Sequence, residues 1–248
     1  MITRADEERL LVISDLHLGN PFCRAKREVV AFLDYAAHMG CSVCINGDGL
    51  DIAQTSFTRI SAEAPEVFGR FSRIADAGGR VYYVIGNHDI VLEHFFETWG
   101  FVQLVPFLNV HSGGRRIRIE HGHLYDPFFI SNPRLYEFGT AAAGLLLKVY
   151  PPAYRLWVAI EKLRGRARSR HSTRQGIEGE HQHVIEAVEE LIGRGFDTVI
   201  FGHTHHLGQV DLGRGRSYIN TGSWMLEPAF AEIAGGRVAL RRWPDDKE

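Results

Sequence analysis

Five short polar runs carry residue types able to do chemistry: Asp15-Leu16-His17, Gly47-Asp48 with Asp51 three residues on, Gly86-Asn87-His88-Asp89, His121-Gly122-His123 and Gly202-His203-Thr204-His205. Carboxylates, an amide and imidazoles, without thiolates, form a nitrogen-and-oxygen donor set suited to Mn, Fe, Zn, Ni or Co. These groups outnumber the ligands that one ion needs. Two ions about 3.5–4 Å apart, sharing a bridging carboxylate, can clamp both the attacking and the leaving oxygen of a phosphoryl group. The glycines before Asp48, Asn87 and His203 allow a sharp turn where a strand gives way to a loop.

Each run has an ordinary alternative when taken alone. Asp15 can cap a helix, Asn87 can make a turn, and an isolated histidine usually belongs to a surface or a satisfied core. His38, His94, His111, His171, His181, His183 and His206 are read in that ordinary way. Asp51 and Asp126 stand open between site members and plain loop carboxylates. The weight falls on the joint pattern, five runs in order, each directly after a strand.

Those strands follow from periodicity. RLLVIS (9–14), CSVCIN (41–46), RVYYVI (80–85), RRIRIE (115–120) and DTVIF (197–201) are short and apolar or alternating. Between them lie amphipathic helices at 25–38, about 62–77 and 178–194, the rhythm of βαβ units in a mostly parallel sheet. Binding sites in such sheets form outside the carboxyl ends of the strands, so parallel neighbours would bring all five runs to one edge. From Gln209 to Trp243 the chain is rich in short strands and Gly turns, which predicts antiparallel hairpins forming a second sheet packed on the first.

At 248 residues, 45% apolar and 23% charged with net charge −2, the chain suits one domain and shows no basic field for nucleic acid. The polar start, MITRADEERL, has no signal-peptide pattern, and no run approaches the roughly 18 apolar residues of a membrane span. A cytoplasmic protein is expected. Cys41 and Cys44 form a CxxC, but on a strand these positions face opposite sides and no second pair completes a zinc site. They read as small buried residues.

Together, Asp-x-His, Gly-Asp-x-x-Asp, Gly-Asn-His-Asp, His-Gly-His and Gly-His-x-His resemble the calcineurin-like metallophosphoesterases over residues 15–205. Asn220-Thr221-Gly222-Ser223 resembles that family's closing turn. The resemblance implies an α/β fold, a four-layer α/β/β/α sandwich of two mixed sheets with a helical lid insertion. It implies two divalent metal ions, Mn2+ first, one held by Asp15, His17, Asp48 and His205, the other by Asp48, Asn87, His121 and His203. Hydroxide raised at that pair would attack phosphorus in line. His88 would serve the leaving oxygen and Asp89 would orient it, with Asn87, His88 and His203 also meeting substrate. Within the superfamily, SDLHLGN, the insertion and YINTGSW resemble the UDP-2,3-diacylglucosamine pyrophosphatases, although that group carries Arg in its third motif where this chain has His88. A phosphodiesterase acting on cyclic nucleotides or other small diesters is the second reading. A metal-binding scaffold without catalysis is the third.

The insertion, at about 126–175 of a single 1–248 domain, departs from the strand–helix rhythm. Two helix-like stretches, 133–150 and 152–164, flank Pro151-Pro152, and a basic run covers 164–174. From Leu145 to Arg174 eight lysines and arginines stand against Glu161 alone, beside Leu145, Leu146, Leu147, Trp157 and Ile160. Such a segment suits an anionic substrate with acyl chains or peripheral contact with the inner face of a membrane. Packing on the core with a solvated charged face is the alternative.

Overall fold

Along β2 (Arg9–Ile13) the side chains alternate between two apolar environments, which sets the architecture. Leu11 and Ile13 join a cluster with Val29, Phe32 and Leu33 of helix α1 (Lys26–His38) and Val67, Phe71 and Ile74 of α2 (Pro65–Asp76). Leu10 and Val12 point the other way, into a layer shared with Val110, Ile117, Ile119, Ile200 and Ile219. A strand buried on both faces is therefore sandwiched, with helices on one side and a second sheet on the other. A third cluster completes the stack. Val184, Val188 and Leu191 of a later helix, Gln182–Gly193, cover Val199, Phe201 and Tyr218 on the far side of the second sheet. The result is a four-layer α/β/β/α sandwich.

The structure is a computed structural model and describes residues 4–20, 23, 25–52, 60, 65–95, 100–132, 139 and 180–244. Its strands are β1 (Arg4–Asp6), β2, β3 (Ser42–Asn46), β4 (Val81–Val84), β5 (Val102–Val105), β6 (Leu108–Ser112), β7 (Arg115–Ile119), β8 (Thr198–Phe201), β9 (Gly208–Gly213), β10 (Arg216–Asn220), β11 (Ala229–Ala234) and β12 (Arg237–Arg242). One sheet runs β12-β11-β2-β3-β4-β5, the other β1-β6-β7-β8-β10-β9. β2 to β5 are parallel, as are β7, β8 and β10, while the hairpins β11–β12 and β9–β10 are antiparallel.

This corrects one expectation. The terminal hairpins do not build the second sheet by themselves. One joins β2, the other joins β8, and the second sheet is founded on β7 and β8. The five polar runs therefore come from two facing sheets rather than one edge. The two cysteines behave as strand geometry requires, Cys41 toward the helices and Cys44 between the sheets, both free. Of the insertion, the short helix α3 (Pro127–Ser131) is described; the helix-like stretches 133–150 (residue 139 apart) and 152–164 and the basic run 164–174 lie outside the described residues. Among the described residues, no helix is long and apolar enough to cross a membrane.

Candidate metal centre

The ends of β2, β3 and β4 meet the ends of β7, β8 and β10 through backbone and buried amides. Asp15 N–H donates to the Gly47 carbonyl at 3.1 Å and His17 N–H to the Asp48 carbonyl at 2.9 Å. Across the sandwich, Asn46 Nδ2 donates to the Glu120 carbonyl at 3.0 Å, and within the second sheet Gly202 N–H donates to the His121 carbonyl at 3.1 Å. The closing turn completes the ring: Ser223 Oγ donates to the Asp15 carbonyl at 3.2 Å, and Ser14 Oγ lies 2.7 Å from Thr221 Oγ1.

The backbone at these points is strained. Among the described residues, six non-glycine residues have φ in the left-handed region, and five are Asp15, His17, Asp48, His203 and His205 (φ 47–63°). Such conformations cost on the order of 1–3 kcal/mol each and persist where the surroundings over-determine them, typically at functional sites. Space is equally restricted. A Cβ on Gly86 would sit 2.2 Å from Asp48 Oδ1, on Gly202 2.6 Å from Asp15 Oδ2, and on Gly47 2.3 Å from the His121 ring. Glycine is required there because the carboxylates and the imidazole occupy the position.

The side chains converge and satisfy one another only in part. Asp15 and Asp48 are both buried, at 0% and 2% exposure. His205 Nε2 lies 3.0 Å from Asp15 Oδ1, and His121 Nε2 lies 3.3 Å from Asp48 Oδ2. Ligand atoms of Asp15, His17 and His205 fall within 4.8 Å of one another, as do those of Asp15, Asp48 and His121, and of His17, Asp48 and His88. His203 stacks edge-on to His121 with ring centroids 5.4 Å apart, and Asn87 is buried in the turn before His88. His121 Nδ1 meets the Asn46 carbonyl at 2.8 Å. A carbonyl only accepts, so Nδ1 carries a proton, and release of the Nε2 proton to a bound cation leaves the tautomer a metal ligand needs. His17 Nε2 is buried without a hydrogen-bond partner. Two buried carboxylates facing unpartnered imidazole nitrogens make a donor set that fits divalent cations.

Electrostatics follow the same crowding. Burial works against charge on His121, but Asp48 outweighs it and raises the pKa to about 10. His17, penalised by burial and then by His88, falls to about 4.

The pair expected around His88 has a different partner. His88 Nδ1 lies 3.0 Å from Asp51 Oδ1, and Asn20 Nδ2 donates to Asp51 Oδ2 at 2.7 Å. Asp89 instead accepts from Gly86 N–H at 2.7 Å, Gly49 N–H at 3.0 Å and the Tyr83 hydroxyl, tying together the turns after β3 and β4. The contact that orients His88 thus belongs to Asp51, and Asp89 holds the loops. Burial disfavours charge on His88, but Asp48 and then Asp51 raise its pKa to about 9. Asp126, the other carboxylate left open by the sequence, reaches His203 Nε2 at 3.2 Å. His123, in the fourth run but without an assigned role, is buried with its ring centroid 5.5 Å from that of His121.

The model of the calcineurin-like phosphoesterases matches residues 8–207, a span that takes in every run above. The chain belongs to that family. A UDP-2,3-diacylglucosamine hydrolase of Azotobacter vinelandii is 27% identical, covering 95% of this chain and 99% of the relative. Another, from Porphyromonas gingivalis, is 23% identical over 96% and 98%. Among solved structures, a dimetal phosphatase from Danio rerio is 12% identical with a TM-score of 0.48, covering 94% and 95% of the two chains. This family member is a metal-dependent phosphoester hydrolase, and groups able to hold a metal ion converge at its strand ends.

Proposed function

We propose that this hydrolase cleaves the pyrophosphate bond of UDP-2,3-diacylglucosamine or a related lipid-linked nucleotide sugar. What supports the reading is similarity to hydrolases of that name, 27% identical over 95% of the chain in one case. In this proposal Asp15, His17, Asp48 and His205 hold one divalent ion and Asp48, Asn87, His121 and His203 the other, with Mn2+ as the native metal. Ions bound there supply Lewis acidity and a hydroxide near neutral pH.

The chain's own residues do the rest. Asp51 fixes the Nδ1 proton of His88, leaving Nε2 to carry a proton toward the leaving oxygen. Asn87 and His203 face the phosphoryl group from opposite sheets. The basic, apolar-flanked stretch 145–174 receives the acyl chains and rests on the inner face of a membrane, placing a cytoplasmic enzyme at its lipid substrate.

A second reading, a phosphodiesterase on cyclic nucleotides or other small diesters, draws support from the His88–Asp51 pair, since His88 is common in the wider superfamily. Hydrolysis assays with Mn2+ separate the two. UDP-2,3-diacylglucosamine should be turned over with a kcat/KM far above those of generic diesters, monoesters and cyclic nucleotides. Equal or better turnover of a small diester would sink the lipid-linked reading and select the second.

A further inference from the structure

Outside the ligand set, one fully buried carboxylate gathers the loop that carries two of the ligands. Glu180 immediately precedes α4 (Gln182–Gly193), and its side chain has no exposed surface. Its Oε1 accepts from the Tyr218 hydroxyl at 2.7 Å, Asn220 Nδ2 at 2.8 Å and Thr204 Oγ1 at 3.0 Å. Its Oε2 lies 3.6 Å from His206 Nδ1. Asn220 Nδ2 also donates to the Gly202 carbonyl at 3.0 Å, and Asn220 Oδ1 accepts from Gly222 N–H at 2.9 Å. Thr204 stands between His203 and His205, both in the left-handed region at φ 63° and 59°. One carboxylate therefore contacts, directly or through Asn220, each end and the middle of the Gly202–His206 loop.

We infer that Glu180 is a positioning residue for the metal centre, holding the Gly202–His206 loop so that the His205 imidazole reaches Asp15 and the His203 ring stands beside that of His121. Two features require such an anchor. A non-glycine residue in the left-handed region relaxes unless its neighbours hold it, and here two such residues flank Thr204. A buried carboxylate is itself expensive unless donors meet it, and Glu180 Oε1 has three while Oε2 faces His206 without a hydrogen bond. Although burial opposes its charge, His206 and the Tyr218 hydroxyl outweigh that effect and hold Glu180 below the usual carboxylate range. The role is that of groups behind metal ligands, whose loss characteristically weakens metal binding.

The inference rests on the two-ion reading, so the test begins with the parent protein. Mn2+ is titrated into chelator-stripped parent, Glu180→Ala and Glu180→Gln, following binding by calorimetry and the bound-ion spectrum by electron paramagnetic resonance. The parent should bind two equivalents. Glu180→Ala should remain folded below its melting point and bind Mn2+ roughly 10- to 100-fold more weakly. Glu180→Gln, which keeps an acceptor but loses the charge, should fall between the two. Both variants binding two equivalents with parental affinity would overturn the role of Glu180. A parent that binds no ion would overturn the two-ion reading instead. Should Glu180→Ala fail to fold, Glu180→Gln and Thr204→Val decide, because each removes only part of the anchor; parental affinity in both overturns the inference.

Discussion

Asp48 faces three imidazoles at once: His121 Nε2 at 3.3 Å, His88 Nε2 at 4.0 Å, and His17 within the same ligand cluster. In the proposed assignment it is the only ligand shared by both ions. Asp48→Ala should abolish activity and cost at least one metal equivalent, and elemental analysis of the purified variant checks this; two full equivalents would sink the bridging role. His88 lies one step from the ions, so His88→Gln should keep both metals and lower kcat by roughly 10²–10⁴. That loss should shrink on p-nitrophenyl esters, whose leaving group needs no proton, and an equal loss on alkyl esters would argue against an acid. Asp51→Asn should show the same dependence on leaving group. Asp15, Asp48 and the four histidines His17, His121, His203 and His205 were legible in the sequence because each stands at a strand's end beside others of its kind. The partner of His88 was not. Asp89 adjoins it while Asp51 lies 37 residues away, and the choice depends on how the loop after β3 turns, which no spacing encodes.

At the scale of elements, Asp89 binds the turns after β3 and β4 through Gly49, Tyr83 and Gly86, and it is fully buried. Asp89→Ala strips an acceptor from several buried donors, each worth about 1–3 kcal/mol when left unpaired. The melting temperature should fall on the order of 10 °C, with activity lost to a similar degree on every ester regardless of leaving group. A variant with parental stability and a leaving-group-dependent loss would return Asp89 to the chemistry beside His88. Periodicity found the core strands and helices within a few residues, since their apolar faces are regular. It could not assign them to sheets. β2, β3 and β8 read alike as apolar runs and β7 as an alternating one, and only non-local pairing decides which neighbours they take. β1, β5 and β6 escaped notice for a related reason. They are three to five residues long, and their partners β6, β4 and β7 are what make them strands. Glu180 lies 24 and 40 residues from Thr204 and Asn220, beyond any motif.

For the whole molecule, the site is a seam between two sheets, and every proposed ligand sits on a strand end outside residues 133–173. Replacing that segment with a short linker should therefore leave a metal centre able to form and small soluble esters still cleaved. If the segment receives acyl chains, kcat/KM on UDP-2,3-diacylglucosamine should fall steeply while that on small esters holds. Its eight basic residues between Leu145 and Arg174 add a second expectation. The intact protein should bind vesicles containing anionic lipid and release them as salt rises, because charges at a surface are screened beyond about 8–10 Å at physiological ionic strength. Were the segment simply part of the core, the shortened protein would misfold and lose activity on all substrates alike. A monodisperse shortened protein assayed on both substrate types separates these outcomes. Full retention of kcat/KM on the lipid-linked substrate would rule out acyl-chain binding by the segment, leaving its charge to act on the membrane alone.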